Sequence, residues 1–294
     1  TTGASNVAIG NYTLDANTTA DSATAVGYNA LTANTTGVRQ TAVGYNALAT
    51  VTTNGTNTAV GYESLKLNTG YSNTAVGGYS LDTNSSGNYN TAVGDSALTA
   101  NTTASNNTAV GASAAAAVTT GANNTAMGFN ALLVDSTGAE NTAIGSYALD
   151  ASTTGHYNVA VGKAALGANT TAADNTAVGT NSLLVNTTGH SNVAVGSNAL
   201  DANTTASGNT AVGYNSLGLN TTGSISTAVG YVTLAANTTG ANNVAVGSSA
   251  LTANTTGDGN VGIGNNALDA NTTASNNTAV GYQALGANTT GNSN

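Results

Sequence analysis

The stretch Asn57-Thr58-Ala59-Val60-Gly61 recurs throughout the chain in close variants, from Asn6–Gly10 to Asn277–Gly281. Its last residue, which we call the anchor glycine, occurs at positions 10, 27, 44, 61, 77, 94, 111, 128, 145, 162, 179, 196, 213, 230, 247, 264 and 281. Successive anchor glycines are 17 residues apart, except for one interval of 16 residues between Gly61 and Gly77. A unit this short cannot bury an apolar face by itself, so the period predicts a stack of repeated units.

Residues at the same distance from the anchor glycine form a column, and three columns are apolar. Leu stands four residues after the glycine in every repeat except at Ala115. Val, Ile or Met precedes the glycine directly, with Thr or Val two residues earlier, and this alternation of β-branched residues is typical of a strand. We expect one strand here, a second short strand around the Leu, and a core formed by the Leu and Val columns, beginning with Leu14, Leu31, Leu48, Val26, Val43 and Val60.

The middle residue of the first strand is as uniform as the Leu. It is Ala in every repeat except at Gly262. Its parity places it on the side of the strand opposite to Val. A column kept this small indicates that another backbone layer approaches closely, so we interpret it as a packing surface, beginning with Ala25, Ala42 and Ala59.

These patterns predict an all-β fold, a parallel β-solenoid or β-roll of about 17 coils that forms a single domain over residues 1–294. Asn, Thr and Gly after the Leu segment are typical of turns, and stacked coils would place Asn side chains in hydrogen-bonded ladders. Neither end carries a helix or a bulky plug that would cover an exposed coil. We therefore expect a segment of a longer fibre, or a filament subunit whose ends stack on other copies.

Composition excludes several function classes. The chain has only three basic residues and a net charge of -9, which argues against nucleic acid as a partner, since phosphate binding needs clusters of Lys and Arg. No apolar run is long enough to span a membrane. The two histidines fall two coils apart in a turn column, too far apart for one metal ion. With no Cys and no convergent polar motif, we expect no enzyme, no cofactor and no metal site.

The turn asparagines have two interpretations. As Asn-Thr-Thr they match the acceptor sequence for N-glycosylation, and as a stacked turn column they need no modification. The positions concerned are Asn17, Asn34, Asn101, Asn169, Asn186, Asn203, Asn220, Asn237, Asn254, Asn271 and Asn288.

Two further rows bear on function. The consecutive Thr pairs form a row similar to that of ice-binding solenoids, but a flat strand face would need Thr at alternate residues, which makes ice binding the less favoured alternative. Tyr often follows the anchor glycine directly, as at Tyr28, Tyr45 and Tyr62, and an exposed aromatic row can contact sugars or a partner chain.

The units Asn57–Tyr62 and Thr41–Leu48 resemble the head repeats of trimeric autotransporter adhesins of the YadA type. They also resemble repeats of bacterial surface and phage tail-fibre proteins that end in an endosialidase-type chaperone. The resemblance covers the whole chain, although the adhesin coil is usually shorter than 17 residues. It implies a left-handed β-roll, a homotrimer with the Ala column at the shared axis, and binding to glycans or to a host or matrix surface.

Together these observations predict a non-catalytic structural and adhesive fibre element, located outside the cell, at the cell surface or in a virion tail fibre. The alternative is a self-assembling filament subunit that stacks end to end. Native mass would distinguish a trimer from a polymer.

Overall fold

The computed structural model describes residues 2–294. Of the residues that the sequence predictions cover, only Thr1 lies outside this range. The chain forms two compact units, Thr1–Ser146 and Tyr147–Asn294. Each unit is a parallel β-solenoid with a repeat of about 17 residues, and the described residues contain no helix. The predicted fold class is therefore confirmed, whereas a single domain over residues 1–294 stays a prediction.

Every strand consists of three residues and ends just before an anchor glycine. The first unit contains β1 Val7–Ile9, β2 Thr24–Val26, β3 Thr41–Val43, β4 Thr58–Val60, β5 Thr74–Val76, β6 Thr91–Val93, β7 Thr108–Val110, β8 Thr125–Met127 and β9 Thr142–Ile144. The second unit contains β10 Val159–Val161, β11 Thr176–Val178, β12 Val193–Val195, β13 Thr210–Val212, β14 Thr227–Val229, β15 Val244–Val246, β16 Val261–Ile263 and β17 Thr278–Val280. Within each unit, consecutive strands pair in parallel with equivalent residues opposite each other, as Ala25 pairs with Ala42.

The anchor glycine turns the chain out of the strand. At Gly44 the φ angle is 141°, a conformation that residues with a Cβ atom rarely adopt. Its amide donates a hydrogen bond of 2.8 Å to the carbonyl of Val26 in the preceding coil. A Cβ atom added to Gly44 would collide with the carbonyl oxygen of Gly61 in the next coil. Both the turn and the close stacking therefore require glycine at this position.

The Leu segment is not a strand, and this part of the sequence prediction is wrong. In the second coil Asn29 and Leu31 have φ angles of 57° and 53°, in the left-handed region. Hydrogen bonds from Ala30 to Gly27 (3.5 Å) and from Asn34 to Leu31 (3.1 Å) close two successive tight turns. Two such turns let the short coil close on itself, and burial of the Leu side chain compensates the cost of its backbone conformation.

The core consists of the Leu and Ala columns. Leu31 and Leu48 are completely buried, as are Ala25, Ala42 and Ala59, whereas Leu14 in the first coil is 9% exposed. The assignment of Val26, Val43 and Val60 to the core is wrong, because these side chains are half-buried on the outer side of the sheet. The predicted alternation along the strand is present, but the side that faces inward carries Ala and the outer side carries Val.

Leu packing within the chain explains why the Ala column stays small. A Cβ atom built on Gly262 would lie 3.2 Å from Cγ of Leu251, one coil earlier. The layer that approaches the column is thus the Leu column of the same solenoid. Because the Ala column is enclosed by its own coil, its assignment to an axis shared by several chains is also wrong.

Candidate functional site

The turn asparagines line the interior as a ladder. In the second unit, from Asn186 onward, the Nδ2 atom of each asparagine donates to Oδ1 of the asparagine one coil earlier, for example from Asn203 to Asn186 at 2.8 Å and from Asn237 to Asn220 at 2.8 Å. The same amide also donates to a turn carbonyl of its own coil, as Asn203 does to Ala206 at 3.0 Å. The predicted ladder is confirmed.

This ladder removes the possibility of glycans on nine of the eleven acceptor asparagines. Their side chains are fully buried, and a sugar on Nδ2 would have to occupy the filled interior of the coil. The N-glycosylation interpretation is therefore wrong in the folded solenoid for Asn34, Asn101, Asn169, Asn186, Asn203, Asn220, Asn237, Asn254 and Asn271. Asn17 and Asn288, in terminal coils, are half-buried.

A second interior ladder is formed by the asparagines that precede the strands. The amide of Asn90 donates to Oδ1 of Asn73 at 2.9 Å, and Asn107 donates in the same way to Asn90 at 2.9 Å. Nδ2 of Asn90 donates to the carbonyl of Ala104 at 2.8 Å. Both hydrogen bonds of the Asn90 side chain thus run to the next coil, so the interior polar groups hold the stack together.

The turn ladder of the first unit is interrupted. Val118 follows Asn101 in this column and has no polar group, which leaves the buried Oδ1 of Asn101 without a hydrogen-bond partner. The next member of the column is Asp135, which is fully buried and accepts hydrogen bonds from the amide of Gly138 (2.7 Å) and from Nδ2 of Asn141 (3.3 Å). Burial raises the pKa of the Asp135 carboxyl to about 7, against the opposing effect of the backbone hydrogen bonds.

The outer side of each strand is a uniform uncharged surface, which we call the Thr/Val face. It consists of the first and third strand residues, and every one of them is Thr, Val or Ile except Met127. These side chains are half-buried or exposed. No other large side chain, such as Tyr, Leu or Phe, stands there, although Tyr and Phe also favour strands.

Tyrosines of the first unit form a continuous exposed row, the Tyr row: Tyr12, Tyr28, Tyr45, Tyr62 and Tyr79. Neighbouring ring centroids are 5.7, 5.4, 5.1 and 5.2 Å apart in that order, and the side chains are 42 to 62% exposed. The three middle rings are nearly parallel, with interplanar angles of 10° and 8°. Because the rings of Tyr28, Tyr45 and Tyr62 face one another, this part of the row presents ring edges to solvent.

The consecutive Thr pairs lie in a turn, as expected. The first hydroxyl of the pair is already engaged, since Thr35 Oγ1 donates to the carbonyl of Thr52 at 3.0 Å and Thr204 Oγ1 to that of Thr221 at 3.1 Å. The second Thr of the pair, such as Thr36, is exposed at the surface. The Thr pairs therefore offer one exposed row of hydroxyls.

Charged groups are sparse at the surface. Lys66 pairs with Glu63 at 3.0 Å, and the hydrogen bond from Lys66 lowers the pKa of the Glu63 carboxyl. Over residues 2–294, no three His, Cys, Asp or Glu side chains are grouped so that they could hold a metal ion.

Sequence reasoning missed the Thr/Val face. The sequence carries a signal for this face, since both columns exclude charge in all repeats, but the same pattern is also typical of an interior face. In the part of the chain that the structure describes, no helix is long and apolar enough to cross a bilayer. Neither a known protein-family model nor a curated protein matches this chain.

Proposed function

We propose that this protein is a non-catalytic structural and adhesive fibre element that acts outside the cell and associates with further copies of itself through the Thr/Val face. The observation that carries the proposal is the uniformity of that face. A surface that only meets water tolerates Lys, Glu, Ser and Asn, as the residues after the anchor glycine illustrate. A face restricted to Thr and β-branched apolar residues is better suited to packing against another surface.

The size of the face supports a self-association interface. With strands about 4.8 Å apart and a face roughly 10 Å wide, each unit offers on the order of 400 Å². A self-association contact that uses the Thr/Val face of each unit buries about 800 Å² per copy, which is typical of stable protein interfaces. The resemblance to trimeric adhesin repeats favours three copies, now with the Thr/Val face, and not the Ala column, at the contact.

Native mass measured by size-exclusion chromatography with light scattering tests this proposal. We expect three times the chain mass of 28.2 kDa. The double variant Val110→Lys/Val178→Lys places a charge on the Thr/Val face of each unit and should yield monomers. The matched control Ala112→Lys/Thr180→Lys changes exposed residues two positions further along and should keep the trimer. A monomeric unmodified chain would overturn self-association.

The adhesive part of the proposal is supported by the repetition of exposed side chains. A ligand that itself repeats, such as a glycan chain, can make the same weak contact on several coils and gain avidity. Saturable binding to immobilised glycans, weakened by Tyr45→Ala in the Tyr row and unaffected by Tyr282→Ala in the last coil, would support it. Absence of saturable binding would leave a purely structural element.

A second candidate, ice binding, is favoured by a different observation. The Thr/Val face carries Thr and Val at alternate strand residues, which is the regular, uncharged arrangement that the Thr pairs lack. Thermal hysteresis of the concentrated protein tests this candidate, and Val110→Lys should abolish it. Because both functions need the same face, a trimer that covers it should show no hysteresis.

A further inference from the structure

We propose that the Tyr row is a site of oxidative coupling, where a one-electron oxidant joins tyrosines of successive coils as dityrosine. The bonds would link coils of one chain covalently along the direction in which they stack. This modification is independent of any partner on the Thr/Val face.

The geometry of the row favours coupling between neighbours. The centroids of Tyr45 and Tyr62 are 5.1 Å apart with an interplanar angle of 8°, and those of Tyr28 and Tyr45 are 5.4 Å apart at 10°. Rings held in this way face each other before any reaction begins. Holding two reactants together converts an encounter between molecules into a much faster step within one molecule.

The composition directs oxidation toward these side chains. The chain contains no Cys and no Trp, so Tyr and a single Met are its main sites of attack by one-electron oxidants. Each member of the Tyr row is at least 42% exposed and is therefore accessible to a dissolved oxidant. Met127 is exposed to the same extent, at 42%, and its sulfoxide reports the oxidant dose.

The coupling step balances as follows. Each of two phenols loses one electron to the oxidant and one proton to water, which gives two tyrosyl radicals. A carbon–carbon bond forms between the ring carbons adjacent to the two hydroxyl-bearing carbons. The hydrogens on those two carbons then move to the oxygens and restore both aromatic rings. The product has lost two hydrogens in total, and persulfate, as the two-electron acceptor, is reduced to sulfate.

Tryptic peptides distinguish the individual links, because Arg39, Lys66 and Lys163 are the only cleavage sites. Tyr28 lies in peptide 1–39, whereas Tyr45 and Tyr62 share peptide 40–66. After ruthenium-sensitised photo-oxidation with persulfate, we expect peptide 40–66 to lose two hydrogens through the Tyr45–Tyr62 link. We also expect peptides 1–39 and 40–66 joined through Tyr28 and Tyr45.

The variant Tyr45→Phe keeps a ring in the row but removes a phenol from both links. It should lose both products at an oxidant dose that converts Met127 equally in all samples. The control Tyr282→Phe changes the same column in the second unit. Unlike Tyr214 and Tyr231 of that unit, which stack on each other, Tyr282 has no ring partner among residues 2–294, so this variant should retain both products. Circular dichroism checks that each variant keeps the fold.

A dilution series decides whether the links lie within one chain. Intrachain coupling predicts a yield per chain that does not change with protein concentration. Links that appear only between chains and vanish on dilution would overturn the proposal. Oxidation of Met127 with all tyrosines of peptide 40–66 left uncoupled would do so as well.

Discussion

Asp135 stands in a column whose other polar members are Asn and Ser, so it places an ionisable group where the remaining repeats have neutral ones. Asn both donates and accepts, and can therefore continue the ladder from one coil to the next. An ionised carboxylate only accepts, and Val118 in the preceding coil offers nothing to it. The properties of this coil thus depend on the protonation of a single side chain.

We expect the free energy of unfolding to fall as pH rises from about 4 to about 7. The pKa of Asp135 is raised from 3.8 to about 7 in the folded chain, so the folded state holds its proton over this window while the unfolded state has lost it. The stabilisation is complete below pH 3.8 and is lost as pH approaches 7, at about 1.4 kcal/mol per pH unit, or about 4 kcal/mol in total.

Denaturant titrations at pH 4 and pH 8 measure this dependence. Asp135→Asn should reduce the difference between the two pH values, whereas the exposed Asp95→Asn should not. Asp150 and Asp201 also have pKa values raised by burial, which act in the same direction, so some dependence should remain in the variant. An unchanged difference in Asp135→Asn would contradict the expected role of this carboxyl.

The Leu column supplies the largest buried side chains, and its loss should be costly. Leu98→Ala removes a completely buried side chain and should destabilise the chain by about 2–5 kcal/mol. Leu219→Ala removes a side chain that is 57% exposed in another column and should cost less than about 0.5 kcal/mol. Unfolding midpoints of the two variants check the difference, and equal losses would contradict the assignment of the core.

At the scale of the elements, each strand is too short to be stable alone and depends on the turns at its two ends. Hydrogen bonds from the strand and the turn run to both neighbouring coils, as Thr41 donates to Asn57 at 2.9 Å in the next coil and Gly44 to Val26 at 2.8 Å in the preceding one. The anchor glycine follows the strand, begins the turn and lies against the anchor glycine of the next coil. The strand can continue into the turn only where a side chain is absent.

Two glycines in one region test this requirement. Gly94 has a φ angle of 138°, and a Cβ atom there would collide with the carbonyl oxygen of Gly111, so Gly94→Ala should destabilise the chain by roughly 1–3 kcal/mol or more. Gly78 is not an anchor glycine, and its Cβ atom would meet only the carboxylate of Asp95, at 3.0 Å. Gly78→Ala should therefore be nearly neutral, and thermal unfolding of both variants provides the comparison.

At the scale of the whole molecule, stability arises from nearest neighbours. Each strand within a unit contacts only the strands before and after it. In such stacks, stability is approximately a sum of coil and interface contributions, and a perturbation weakens with distance along the stack. The same repetition places identical side chains in rows, which favours extended partners over a single convergent site.

This behaviour can be measured by hydrogen–deuterium exchange with mass spectrometry. Leu31→Ala should accelerate amide exchange in its own coil and in the coils on either side, since it opens a cavity between them. Exchange in residues 261–280 of the second unit should stay as in the unmodified chain. Acceleration throughout both units would instead indicate that the chain opens as one cooperative whole.

The sequence by itself determined the period, the fold class, the position of the first strand, the burial of Leu and the Asn ladders, because each follows from residue type repeated at one spacing. It could not decide which side of the strand faces inward. Val is the more apolar residue, yet the space inside a 17-residue coil beside a Leu from the neighbouring coil accommodates only the methyl group of Ala. The left-handed conformation at Leu31 could likewise not be predicted from the sequence, because closure of the coil and burial override the local preference of Leu. The tertiary structure thus places Val at the surface and Ala in the core, and this placement makes the Thr/Val face the one available to partners.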